Sequence, residues 1–91
     1  MYRYFVWLKT NPTRTKYVTE QLKAFPEQPY NGIRLYYTMN CYGDYNLALW
    51  FEAENQDYAN DFVEKKVRPI QGVLEAYTVP TTPIKEYIKW K

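Results

Sequence analysis

From Tyr2 to Lys9 the chain alternates Tyr4, Val6 and Leu8 with Arg3, Phe5 and Trp7, and a period of two rich in β-branched and aromatic side chains predicts a strand. Asn11 and Pro12 form a helix-start pair, after which Val18, Leu22 and Phe25 recur at helical spacing up to Pro26. The stretch PEQPYNG, with two Pro and an Asn-Gly pair, predicts a loop before a second strand from Ile33 to about Asn40. Gly43-Asp44 separates that strand from a third, Tyr45 to Ala53, at hairpin distance, so the two are expected to be antiparallel neighbours. Asn55 opens a second helix with Asp57 in its first turn, Tyr58, Phe62, Val63 and Val67 along one face, and Lys65, Lys66 and Arg68 at its end, a charge order that suits the helix dipole. Pro69 stops it, Gly72 turns the chain, and Val73 to Val79 reads as a fourth strand, where Pro80 is best tolerated on a sheet edge.

Two successive strand–helix–strand halves predict an α+β domain of ferredoxin-like βαββαβ order, a four-stranded antiparallel sheet with both helices on one face. This domain is expected over residues 1–82, followed by a C-terminal tail, 83–91, in which Ile84, Ile88 and Trp90 call for docking on the domain or on a neighbouring subunit. Val6, Leu8, Leu35, Tyr37, Leu47, Leu49 and Phe51 form one alternating set, assigned to the core with Leu22, Phe25, Phe62 and Val67. The opposite set is Phe5, Trp7, Tyr36, Ala48, Trp50 and Leu74, ringed by Arg3, Arg34, Thr38 and Glu52. Two helices cannot cover both faces. Four large rings on a bare sheet make a patch of roughly several hundred Å², more than a monomer usually exposes. A second copy packed sheet to sheet through Phe5, Trp7, Tyr36 and Trp50, closing a dimeric α/β barrel, is the expected cover.

Composition narrows the alternatives. Of 91 residues 46% are hydrophobic and eleven are Tyr, which excludes a disordered chain and suits a surface buried against a partner. Twelve Lys and Arg against ten Asp and Glu leave a net charge of +2, far from the basic stripe that tracks phosphates. Base stacking on the aromatic face, as in single-stranded nucleic-acid binders, would need the third strand's basic-Gly-aromatic signature; YGDYNLALWF instead sets Asp44 beside the Gly. With one Cys and no His the chain offers neither an intrachain disulfide nor an ordinary zinc site, and no cofactor is expected. No apolar run approaches the ~20 residues of a membrane span and no signal peptide precedes the first strand, so the expected setting is cytoplasmic.

Catalytic residues are not expected. Without His, chemistry would fall to carboxylates, Tyr or Cys41, and none stands in an activating motif. Glu52 beside Arg3 or Arg34 reads as a surface ion pair, and Cys41 at a strand end as a packed side chain. A small dimeric-barrel enzyme of monooxygenase type would need an apolar cavity where the Trp and Tyr side chains crowd.

The stretches Tyr42-Gly43-Asp44-Tyr45-Asn46-Leu47 and Ile70-Gln71-Gly72-Val73, with Thr78, resemble the effector-binding domain of the Lrp/AsnC transcription regulators, a domain that also occurs alone. The family carries a Gly-x-x-Asp hairpin between its second and third strands and a Pro-Gly-Val step leading to a strand with Thr-x-Thr. Here Asn46, Gln71 and Ala76 replace the Asp, the Pro and the first Thr. The resemblance implies a homodimer or larger homo-oligomer, an effector such as an amino acid or related metabolite held at Tyr42, Gly43, Asp44, Tyr45, Asn46 and Thr78, and pairing with full-length regulators of the same family. Beginning at the first strand, the chain resembles the stand-alone form, for which no direct DNA binding is expected. Asn46 in place of Asp removes a charge partner for an ammonium group, so an ordinary amino acid is expected to bind weakly.

Overall fold

The computed structural model describes residues 2–87. Strand β1 (Tyr2–Thr10) leads through a single 3₁₀ turn, Pro12–Arg14, into helix α1 (Thr15–Lys23). The start is set by Asn11, whose Oδ1 accepts from the Thr13 N–H at 3.0 Å and from the Thr13 hydroxyl at 2.8 Å. The hairpin strands β2 (Ile33–Asn40) and β3 (Leu47–Ala53) follow, then helix α2 (Gln56–Phe62), which Asn55 caps by accepting from the Tyr58 N–H at 3.0 Å. Helix α2 runs on into a π-helical turn, Val63–Val67, before β4 (Val73–Thr81). Arg68 ties this turn to the sheet by donating to Ala76 O at 2.7 Å, while its Nε pairs with Glu64.

All strand pairings are antiparallel and the sheet order is β2-β3-β1-β4, the ferredoxin-like arrangement that the alternating pattern predicts. β4 is an edge strand, so Pro80 removes no central ladder bond. Trp7 and Trp50 lie on the two central strands. Behind the sheet, Tyr4, Val6, Leu8, Leu47, Leu49 and Phe51 meet Val18, Leu22, Ala59, Phe62, Val63 and Val67 in one continuous core, with Ile33 and Ala53 at its end. Phe62 meets Phe51 edge to face at 5.3 Å.

Gly72 shows how closely α1 is drawn onto the β4 side. Its φ is +109°, and a Cβ there would lie 2.5 Å from Arg14 Cβ and 3.0 Å from Val18 Cγ2. The Asn11 N–H donates to Gly72 O at 2.8 Å, pinning the two strand–helix joints together.

Strand β2 departs from the simple alternation. Leu35 faces Phe51, but the next pair is Tyr37 with Trp50, leaving Tyr36 as the extra residue of a β-bulge. Beyond such an insertion the alternation changes sense. Tyr37, expected in the core, therefore lies on the open face beside Trp50, and Thr38, expected on the open face, pairs with Leu49 on the helix side. A second irregularity, between Lys9 and Thr10, makes Leu74 the unpaired residue of β4, exposed at the sheet margin.

Candidate functional site

The open face is built from alternate residues of the same strands. Trp7, Phe5, Trp50 and Tyr37 form a ladder across β1, β3 and β2, with ring centroids at 5.7, 5.5 and 5.5 Å and planes within 12°, 4° and 7° of parallel. Tyr36 adds a tilted ring against Trp50 at 5.6 Å. Flat rings side by side in one plane would need about 6.5 Å to keep carbon atoms at their usual contact. The observed spacing therefore means that they overlap like roof tiles, each covering part of its neighbour's face. Phe5, Trp7, Tyr36 and Trp50 are half-buried even in the single chain. A nucleobase needs a bare ring face to stack on, and rings that overlap their neighbours offer less of one. The expected interface residues thus converge, and Tyr37 joins them through the bulge that pattern reading does not reveal.

Charged residues border one end of the ladder. Register places Arg34, Glu52, Arg3 and Thr81 in one row across the sheet. Arg34 pairs with Glu27 at 2.6 Å and Arg3 with Glu86 at 2.6 Å, so neither guanidinium turns to Glu52, although Glu52 stands between them.

The hairpin at the other end of β2 and β3 contains the remaining candidates. Gly43 has a φ of +135° and no neighbour within 4 Å of a Cβ, so this turn is open to approach. Tyr42 is 96% exposed, Asp44 is exposed, and Tyr45 is half-buried. Asn46 faces inward instead. Its Oδ1 accepts from the Thr10 N–H at 3.1 Å, its Nδ2 donates to Thr10 Oγ1 at 2.9 Å, and its own N–H donates to Leu8 O at 3.0 Å.

Thr10 Oγ1 lies 2.7 Å from Thr15 Oγ1, and Thr15 Oγ1 donates to Asn11 O at 3.3 Å. Because Thr15 gives its one proton to Asn11 O, the proton shared between the two hydroxyls comes from Thr10, and the chain runs donor to acceptor from Asn46 to the start of α1. A carboxylate at position 46 would supply no proton and would force the chain to reverse. Sequence reasoning missed Thr10 and Thr15. The available signal was the Asn itself, a donor where the resembling family has only acceptors.

Thr78 sits opposite Val6 on the helix side of β4. Strand β1 lies between it and the hairpin strand, so one chain does not bring Thr78 to Gly43 or Asn46. Cys41 donates its N–H to Asn46 O at 3.0 Å, and burial pushes its thiol pKa up, away from the thiolate that nucleophilic chemistry requires. Among the described residues no group of His, Cys, Asp and Glu could hold a metal ion, and no helix is long and apolar enough to cross a membrane.

No protein-family model matches the chain, and comparison with curated proteins finds no match. Solved structures do match. FFRP-DM1 superposes with a TM-score of 0.73 at 22% identity, over 90% of this chain and 100% of its own. Escherichia coli AsnC gives a TM-score of 0.75 at 11% identity, over 99% of this chain and 55% of AsnC. A transcriptional regulatory protein of Pyrococcus furiosus, a member of the AsnC family, gives 0.64 at 18%, over 94% of this chain and 53% of its own. The fold is therefore that of a ferredoxin-like domain found in AsnC-family regulators. It also spans FFRP-DM1 from end to end, whereas the two longer regulators are covered over about half their length.

Proposed function

We propose that the chain is an Lrp/AsnC-type ligand-binding and oligomerisation domain acting in the stand-alone form, which modulates transcription through an effector or through partner regulators of its own family and not through chemistry of its own. The observation that carries this reading is the aromatic ladder on the sheet face opposite the helices, in a fold shared with AsnC. A second copy packed on Phe5, Trp7, Tyr36, Tyr37 and Trp50 would remove the ring edges from water and close a dimeric barrel. The shingled rings favour this cover over stacked bases, and the crowded face favours it over an enzyme that needs an apolar cavity there.

An effector, on this reading, approaches the exposed turn Tyr42 to Tyr45, where backbone groups at Gly43 are accessible. Asn46 contributes by holding the turn on β1, and Thr78 joins the site only from another copy. An amino acid is expected to bind weakly, because the amide of Asn46 carries no charge for an ammonium and is already engaged by Thr10.

The test is the mass in solution. By light scattering at micromolar concentration the wild type is expected to be at least a dimer and Trp50→Glu a folded monomer, since an unpaired carboxylate buried in an interface costs several kcal/mol or about that order. A folded Trp50→Glu protein that remains dimeric moves the interface elsewhere. Calorimetric titration with amino acids and simple carboxylates tests the effector, and tight amino-acid binding by the wild type would remove the argument from Asn46.

A further inference from the structure

Past β4 the chain does not leave the sheet. Thr81 Oγ1 donates to Arg3 O at 2.9 Å, and the following residues turn onto the open-face side, where Arg3 Nη1 donates to Glu86 Oε1 at 2.6 Å. Residues 81–87, without Ile84, line an open cleft of about 300 Å³ with Arg3 and Trp50. Glu52 is the direct cross-strand partner of Arg3, so the pairing with Glu86, far along the sequence, is a choice of direction that holds the tail down. From these contacts we propose that residues 82–87 are a strap across the Arg3–Trp50 end of the aromatic face, and that this strap must swing aside before a second copy can pack there. The inference rests on the reading of that face as the self-association surface.

Space makes the two occupants exclusive. Sheets packed face to face stand about 10 Å apart with side chains filling the gap, which leaves no layer for a third stretch of backbone. The strap is built to yield. The pair of Arg3 and Glu86 is reached by solvent on the Glu86 side, where 42% of the side chain is exposed, so salt weakens it in part. Ile84 is fully exposed and Tyr87 82% exposed, so the closed strap hides little of its own apolar surface. Ile88 and Trp90, which complete the apolar set of the tail, lie outside the described residues. A closed form that must open in both copies raises the apparent dissociation constant by the open fraction of each.

The experiment is sedimentation equilibrium on the full chain, on a chain ending at Thr82, and on Glu86→Gln, with circular dichroism to verify folding. Ending at Thr82 keeps the whole of β4. It is expected to tighten dimerisation roughly tenfold, and Glu86→Gln is expected to tighten it by a smaller factor. A folded truncated chain that dimerises equally well or more weakly overturns the strap. Should truncation prevent folding, an unchanged dissociation constant for Glu86→Gln overturns it alone. Trp7→Glu, at the far end of the ladder, separates the two ideas: if it stays dimeric in the truncated background, the face is not the interface and the strap falls with it. If it is monomeric while truncation alone changes nothing, only the strap falls.

Discussion

Trp50 and Phe51 are adjacent on β3 and meet opposite surroundings. Phe51 is wholly buried, stacked on Tyr4 and met edge-on by Phe62. Trp50 stands on the other face, half-buried, with Phe5, Tyr36 and Tyr37 around it and the residues after β4 at one side. One face is a solved packing problem, aliphatic side chains and the rings of Tyr4, Phe51 and Phe62 locked between sheet and helices. The other consists of rings that shelter one another and still leave their edges uncovered. The strands are the same, so the difference arises from alternate residues, and it separates the face that folds the chain from the face proposed to meet a second copy.

Substitution at these two neighbours should break the symmetry most plainly. Phe51→Ala is expected to destabilise the fold by about 3–5 kcal/mol, the usual result of emptying an aromatic site in a packed core. Trp50→Ala should cost the single chain only about 1–2 kcal/mol, because that ring keeps part of its surface in water, while shifting the proposed dimer toward monomer. Urea denaturation at a dilution that dissociates the assembly, with mass measured in parallel, distinguishes the two. Equal losses of folding stability would mean that the faces are energetically alike.

The helix side of β1 and β3 was legible because period-two alternation is unbroken there, and Asn11, Asn55 and Gly72 announce the helix ends and the tight turn with residues chosen for backbone reasons. Strand β2 was not legible. A bulge inserts a residue without a Gly or Pro to mark it, since Tyr36 and Tyr37 tolerate the geometry equally well, and every assignment after it inverts. The hairpin was legible as a turn but not as a network. Nothing local in Tyr42 to Asn46 states that the Asn46 amide reaches Thr10, because that contact depends on β1 being the central neighbour of β3, which only the assembled sheet supplies.

That network carries a smaller difference between the hairpin's two parts, its open tip and its anchored base. Asn46→Ala would leave the Thr10 N–H without its acceptor and the Thr10 hydroxyl with Thr15 alone, in a site that is 3% exposed, a loss of about 2 kcal/mol. Asn46→Asp keeps the acceptor for the Thr10 N–H and reverses the hydroxyl chain, so about 1 kcal/mol is expected. Changes at the tip, such as Asp44→Ala, should leave the unfolding midpoint where it was. If Asn46→Asp proves as stable as the wild type, the direction of the proton chain is of no consequence, and the reason for an amide at this position must be sought in the ligand.

The smallest expected effect comes from Tyr4, the tyrosine that takes the residue type of the open face into the core of β1. Burial raises its pKa above the ordinary phenol value, with the neighbouring Tyr2 adding in the same direction. The folded chain thus holds this proton more tightly than the unfolded chain does. The sign follows from linkage: the contribution is complete below the unfolded pKa of about 10 and is lost as pH rises through the higher folded value. Tyr4→Phe keeps the ring that stacks on Phe51 at 5.5 Å and removes the ionisable oxygen. Wild type and variant should therefore unfold at similar urea concentrations near neutral pH and diverge above about pH 10, with the variant the more resistant. Every other ionisable group is common to the two proteins, so the difference between the two curves isolates position 4. Parallel curves through the alkaline range would show that the Tyr4 hydroxyl ionises as readily in the folded chain as in the unfolded one, and that the core at this end of β1 admits water.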